Sequence, residues 1–95
     1  MKIKELLTTE DKWAKTGFAY DKEGKMVAST SPEAVKWCLL GATNICYKDP
    51  DRKKVIRLMM EYVTTHNPFG NVGRWNDDPA TTFADVRKLV ETLDI

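Results

Sequence analysis

Ser31-Pro32-Glu33-Ala34-Val35-Lys36-Trp37-Cys38-Leu39-Leu40-Gly41-Ala42 is the stretch whose reading decides the fold. It opens with helix-start chemistry. Thr30 with Glu33 fits a capping box, in which hydroxyl and carboxylate satisfy backbone N–H groups reciprocally. Ser31 before Pro32 fits an alternative N-cap with proline at the first helical position. Val35, Cys38, Leu39, Ala42, Ile45 and Cys46 then recur at helical spacing, with Trp37 and Leu40 on the flank. Only Lys36, Thr43 and Tyr47 are left for solvent, so the pattern predicts a central helix over 32–47 packed on most sides. Gly41 within it costs about 1 kcal/mol relative to alanine. That cost predicts a close crossing by another element.

Outward from this helix, the pattern supplies covering elements. Ile3, Leu6 and Leu7 lie at helical spacing, with Lys2, Lys4 and Glu5 opposite. Phe18 and Tyr20 change the period to alternation, and Asp21-Lys22-Glu23-Gly24-Lys25 offers a tight turn before Met26-Val27-Ala28. This predicts a small β-hairpin over about 17–28, which must lie on the helices to be stable. Lys48-Asp49-Pro50 breaks the chain, and a helix from Asp51 to His66 follows, with Val55, Ile56, Met59, Tyr62, Val63 and His66 inward and Leu58 and Met60 widening that face. Residues 67–78 read as an irregular stretch pinned by Phe69, Val72 and Trp75. Pro79 or Thr82 opens a last helix, with Thr82 and Asp85 as a capping pair, and its stripe is Phe83, Val86, Leu89, Val90 and Leu93. The expected class is α+β, mainly α: about four helices around the central one, in a single domain over 1–95.

Composition bounds function. Fifteen Lys plus Arg against fourteen Asp plus Glu give a net charge of +1, which supplies no field to gather nucleic acid or an anionic membrane. No apolar run approaches the ~20 residues that span a bilayer. Met1-Lys2-Ile3-Lys4-Glu5 lacks the apolar core of a signal peptide. Cys38 and Cys46, on one predicted helix, would be ~12 Å apart at ~1.5 Å per residue, too far for a disulfide. Free thiols suit a reducing compartment, and the expected location is cytoplasmic.

Several blocks together resemble a known family: Trp13…Gly17, Asp21…Gly24, Ser31-Pro32-x-Ala34-Val35-x-Trp37-Cys38-x-x-Gly41-Ala42, and Trp75-Asn76-Asp77 ahead of Thr82…Val86. The chain is similar to a group of small proteins carrying a domain of unknown function in bacteria and their phages. The resemblance spans nearly the whole chain and implies a fold but no activity. His66 and Cys46 lie outside its blocks.

Four sets of residues could carry chemistry. Cys38, His66 and Asp77 are the residue types of a thiol-dependent hydrolase, in which a base takes the thiol proton and a carboxylate orients the base. Against this, a mid-helix Cys38 in apolar surroundings has a raised thiol pKa and serves as core. Trp75, Asn76 and Asp77, with Trp13, read either as loop anchors and caps or as a polar loop that binds a ligand or partner. Arg52, Lys53, Lys54 and Arg57 are the only basic cluster, set in first helical turns where the dipole disfavours cations. A solvated face explains them better than nucleic acid does. No metal-ligand spacing occurs, and capping accounts for Asp49, Asp51, Asp77 and Asp78. No cofactor is expected. The leading expectation is a non-catalytic bacterial or phage accessory protein acting through contact with another protein. The alternatives are a small thiol-dependent hydrolase or small-molecule binder using Cys38 and residues 75–78, or a weak nucleic-acid binder through residues 52–57. The sequence fixes no oligomeric state.

Overall fold

The computed structural model describes residues 1–66 and 71–95, the side chain of His66 excepted. Its elements are α1 (Ile3–Leu6), a 3-10 turn (Glu10–Lys12), β1 (Ala19–Tyr20), β2 (Lys36–Trp37), α2 (Leu39–Cys46), α3 (Asp51–His66), α4 (Val72–Asp77) and α5 (Phe83–Leu93). The class is α+β, mainly α, as the pattern predicts, with five α-helices among the described residues.

The deciding stretch departs from its pattern in the first half. The Ser31 hydroxyl accepts from the Glu33 N–H at 3.2 Å and the Ser31 carbonyl from the Ala34 N–H, so residues 31–34 turn without starting a helix. Val35 N–H then donates to the Tyr20 carbonyl, and Lys36-Trp37 pairs antiparallel with Ala19-Tyr20. The physical reason lies in the side chains. Val35 and Trp37 alternate as Phe18 and Tyr20 do, and β-branched and aromatic residues suit a pleated, half-buried surface. Trp37 is buried there, its Nε1–H donating to the Ser29 carbonyl at 3.0 Å. The central helix therefore runs over Leu39–Cys46 rather than 32–47, and Val35 is left exposed.

What remains of that helix is central, touching α1, α3, α4 and β2. Its solvent strip is narrower than the pattern predicts. Thr43 is fully buried with its hydroxyl donating to the Leu39 carbonyl at 2.7 Å, and Tyr47 is half-buried with its hydroxyl donating to the Ile95 carbonyl at 2.7 Å. The close crossing at Gly41 is present. A Cβ there would stand 1.9 Å from the Phe18 carbonyl oxygen, which only glycine allows.

The hairpin turn forms where expected. Asp21 Oδ1 accepts from the N–H groups of Glu23 and Lys25, both at 2.9 Å, and Gly24 takes φ +82°. Val27 N–H donates to the Ala19 carbonyl at 3.0 Å. The returning segment makes only one bridge, Met26 to Tyr20, and the paired strand on the other side of β1 is β2.

Two long helices close the core. Along α3, Val55, Met59 and Val63 are buried and Ile56 and Tyr62 half-buried, whereas Leu58 and Met60 face solvent instead of widening the apolar face. On α5, Val86, Leu89 and Val90 are buried, and Thr82 with Asp85 forms the predicted capping box. Ile3 and Leu7 join the same cluster, and the chain ends meet: Ile3 N–H donates to the Ile95 carbonyl, and Asp94 pairs with Lys2 and Lys4. Among the described residues no helix is long and apolar enough to cross a membrane.

Candidate functional site

The stretch read as irregular contains helix α4. Asn71 starts it, its side-chain oxygen accepting from the Arg74 N–H at 3.1 Å. The expected anchor Phe69 lies outside the described residues. One turn of helix brings Trp75 and Asn76 inward and leaves Asp77 at the surface.

Asn76 is 1% exposed and uses every hydrogen-bonding position of its amide. Its Oδ1 accepts from Trp13 Nε1–H at 2.7 Å and from the Leu39 N–H at 3.1 Å. Its Nδ2 donates to the Ala14 carbonyl at 3.0 Å and to Asp77 Oδ1 at 2.9 Å. Three segments distant in sequence meet on this one side chain. The bond to Leu39 also satisfies one of the orphan N–H groups at the start of α2.

Asp77 does not cap the last helix. Its Oδ1 holds the Thr16 N–H at 2.8 Å, while Asp78 Oδ1 accepts from the Ala80 N–H at 2.7 Å and Thr82 caps α5. Trp75 is buried in the core. Trp13 is half-buried. Its N–H is taken by Asn76, Lys15 Nζ lies 5.2 Å above its ring, and the Phe83 ring is 6.2 Å away. Lys15 is itself fixed by the carbonyls of Asp78 and Thr81, at 2.8 and 3.0 Å.

Cys38 is the N-cap of α2, not a mid-helix residue. Its sulfur accepts from the Gly41 N–H at 3.3 Å. The helix start is the right place to favour a thiolate, yet the balance runs the other way. Burial pushes the thiol up, the N–H groups of Gly41 and Leu40 pull against it, and the Asp77 carboxylate adds to the upward push. Burial raises Cys46 to about 11. Cys38 and Asp77 therefore share one neighbourhood, without the activation a nucleophile needs. The His66 side chain lies outside the described residues, and so does any contact between it and Cys38.

That neighbourhood is an open cavity of about 270 Å³ between the hairpin and α4. Phe18, Met26, Cys38 and Leu40 supply apolar walls, and Gly73 and Asp77 close the α4 side. Phe18 is 51% and Met26 65% exposed. Elsewhere, Arg52 is tied to Asp49 at 3.0 Å and to Asn44 at 3.3 Å, while Lys53, Lys54 and Arg57 project into solvent. Among the described residues no group of three or more His, Cys, Asp or Glu side chains stands close enough to hold a metal ion.

Residues 2–93 match the model of a family of unknown function, DUF6197. The chain belongs to the DUF6197 family. No curated protein and no solved structure matches it. The family match spans every element from α1 to α5. In this DUF6197 chain, sequence reasoning reached Cys38, Trp13 and residues 75–77 but missed Phe18, Met26 and Gly73. No local signal marked them, because the cavity forms only where residues 16–18, 26, 38–40 and 73–77 pack together.

Proposed function

We propose that this DUF6197 chain is a non-catalytic accessory protein that acts by binding another protein through the face around Phe18 and Met26. The observation that carries the reading is the cavity those two side chains border. Large apolar side chains open to water around a concave site mark protein-contact surfaces, where a few anchors dominate binding. Cys38 fits this reading as an apolar wall. Its sulfur is engaged as a cap and its thiol is held up by burial and by Asp77. Free Cys38 and Cys46 suit the reducing cytoplasm of a bacterial host.

The test is to pan the immobilised chain against displayed twelve-residue random peptides and to map the selected peptides by amide chemical shifts. Enriched sequences should share a large apolar residue and move the amides of Gly17, Phe18 and Leu40. Met26→Glu, at an exposed position, should melt like the parent and release them. Peptides that hold Met26→Glu as tightly as the parent refute the reading.

A second reading, a thiol-dependent hydrolase or small-molecule binder, draws on the meeting of Cys38 with Asp77. It requires a thiol more reactive than an ordinary cysteine, and the surroundings of Cys38 act against that.

A further inference from the structure

Among the described residues, nothing in the packing around Gly73 requires a glycine. Glycine weakens a helix relative to alanine, and Gly73 lies inside α4. Among the described residues, a Cβ there would meet Asn71 Oδ1 at 3.4 Å and Leu40 Cδ1 at 3.6 Å, ordinary contacts. At Gly41, by contrast, the Phe18 carbonyl forbids any side chain.

Gly73 lies where two hollows meet. The apolar cavity of about 270 Å³ shares Gly73 and Asp77 with a second hollow of about 490 Å³, which continues to Asn71, Arg74 and Asp78. A side chain at 73 would start between Asn71, which lines the far hollow, and Leu40, which lines the apolar one. The far hollow carries two carboxylates, Asp77 and Asp78, against one guanidinium, Arg74. Asp77 commits only Oδ1, to Thr16 and Asn76, and its Oδ2 has no partner among the described residues.

We infer that an extended segment of a partner protein lies in this joined groove, placing a large apolar side chain between Phe18, Met26 and Leu40, its backbone close over Gly73 and a lysine or arginine beside Asp77. The inference rests on the protein-contact reading and specifies its partner. The apolar end supplies the anchor. The cation meets the uncommitted carboxylate, and the pair adds the modest attraction of an exposed ion pair. The bare Cα at 73 lets two backbones approach where a side chain would hold them apart.

The test titrates the isotope-labelled full chain with end-blocked eight-residue peptides of Gly and Ser around a central pair: Phe-Arg, Phe-Gln, Phe-Glu or Ser-Arg. Phe-Arg should move the amides of Gly17, Gly73 and Asp77. It should bind about two- to fivefold tighter than Phe-Gln, the size of an exposed ion pair, and the gap should shrink as salt rises. Asp77→Asn, which keeps an acceptor for the Thr16 N–H, should erase the gap. Gly73→Ala should melt no lower than the parent, and Gly73→Leu should lose the peptide.

Equal binding of Phe-Arg and Phe-Gln at the groove overturns the cationic partner and leaves the protein-contact reading standing. Gly73→Ala melting below the parent, or Gly73→Leu binding Phe-Arg as the parent does, overturns the role of the glycine. If none of these peptides moves a groove amide while panned peptides do, the inferred segment fails alone. If panned peptides also ignore Met26→Glu, the contact reading has failed with it.

Discussion

Replacing Asn76 by alanine should remove a large part of this protein's stability, and the size of the loss follows from its four bonds. The substitution strands two donors, the half-buried Trp13 Nε1–H and the buried Leu39 N–H, and removes the donor to the Ala14 carbonyl. A buried polar group left without its partner costs about 1–3 kcal/mol, so two stranded donors give about 4 kcal/mol. Total stability at this length is on the order of 5–14 kcal/mol. At roughly 4–8 °C per kcal/mol in a small domain, the midpoint should fall by about 15–30 °C. Trp13→Phe keeps an aromatic ring at this position and leaves Asn76 Oδ1 bonded to Leu39, so about 1 kcal/mol should be lost with the hydrogen bond. Asp77→Ala removes an exposed acceptor and should cost a similar amount. Urea unfolding followed by far-ultraviolet circular dichroism at constant slope gives all three. An Asn76→Ala loss under about 1 kcal/mol, or one no larger than that of Asp77→Ala, would refute the idea that this amide organises the fold.

Three further outcomes are expected. Gly41→Ala, which helix propensity alone would favour, drives a Cβ to 1.9 Å from the Phe18 carbonyl and should destabilise by at least about 2 kcal/mol; equal or higher stability by urea titration would show that the crossing yields. Asp94 is held at about 2 by hydrogen bonds from Lys4 and then Lys2. Its folded pKa lies below the ordinary 3.8, so its contribution is present above pH ~4 and lost as pH falls through ~2. Asp94→Asn should flatten the acid limb of the stability curve across that window, and an unchanged limb assigns it to other groups. Cys38, raised by burial, should react with iodoacetamide more slowly than a free thiol at pH 8 and catch up only in urea. Rapid native labelling at Cys38, read by peptide mass, would instead support the thiol-dependent alternative.

Much of the architecture was legible locally. The span Asp51–His66, the Thr82–Asp85 cap, the turn closed by Gly24 and the crossing at Gly41 all rest on effects of a few neighbouring residues: periodicity, capping geometry, positive φ and steric room. The sequence was ambiguous where two local signals competed. Residues 31–37 carry helix-start residues and a strand's alternation at once, and β1 settled the contest by offering backbone partners that a helix would have left unpaired. With that shift Cys38 moved from mid-helix to cap, and its chemistry changed with it.

By itself, then, the sequence determined the α-rich class and the elements whose bonds and faces lie within one turn of each other. Only the tertiary structure decided which polar groups meet. Asn76 finds Trp13 and Ala14 at separations of 63 and 62 residues and Leu39 at 37, and no periodicity encodes such pairings. The groove is of the same kind. Phe18, Met26, Leu40 and Gly73 come from four separate segments, and a concave surface exists only once those segments have packed.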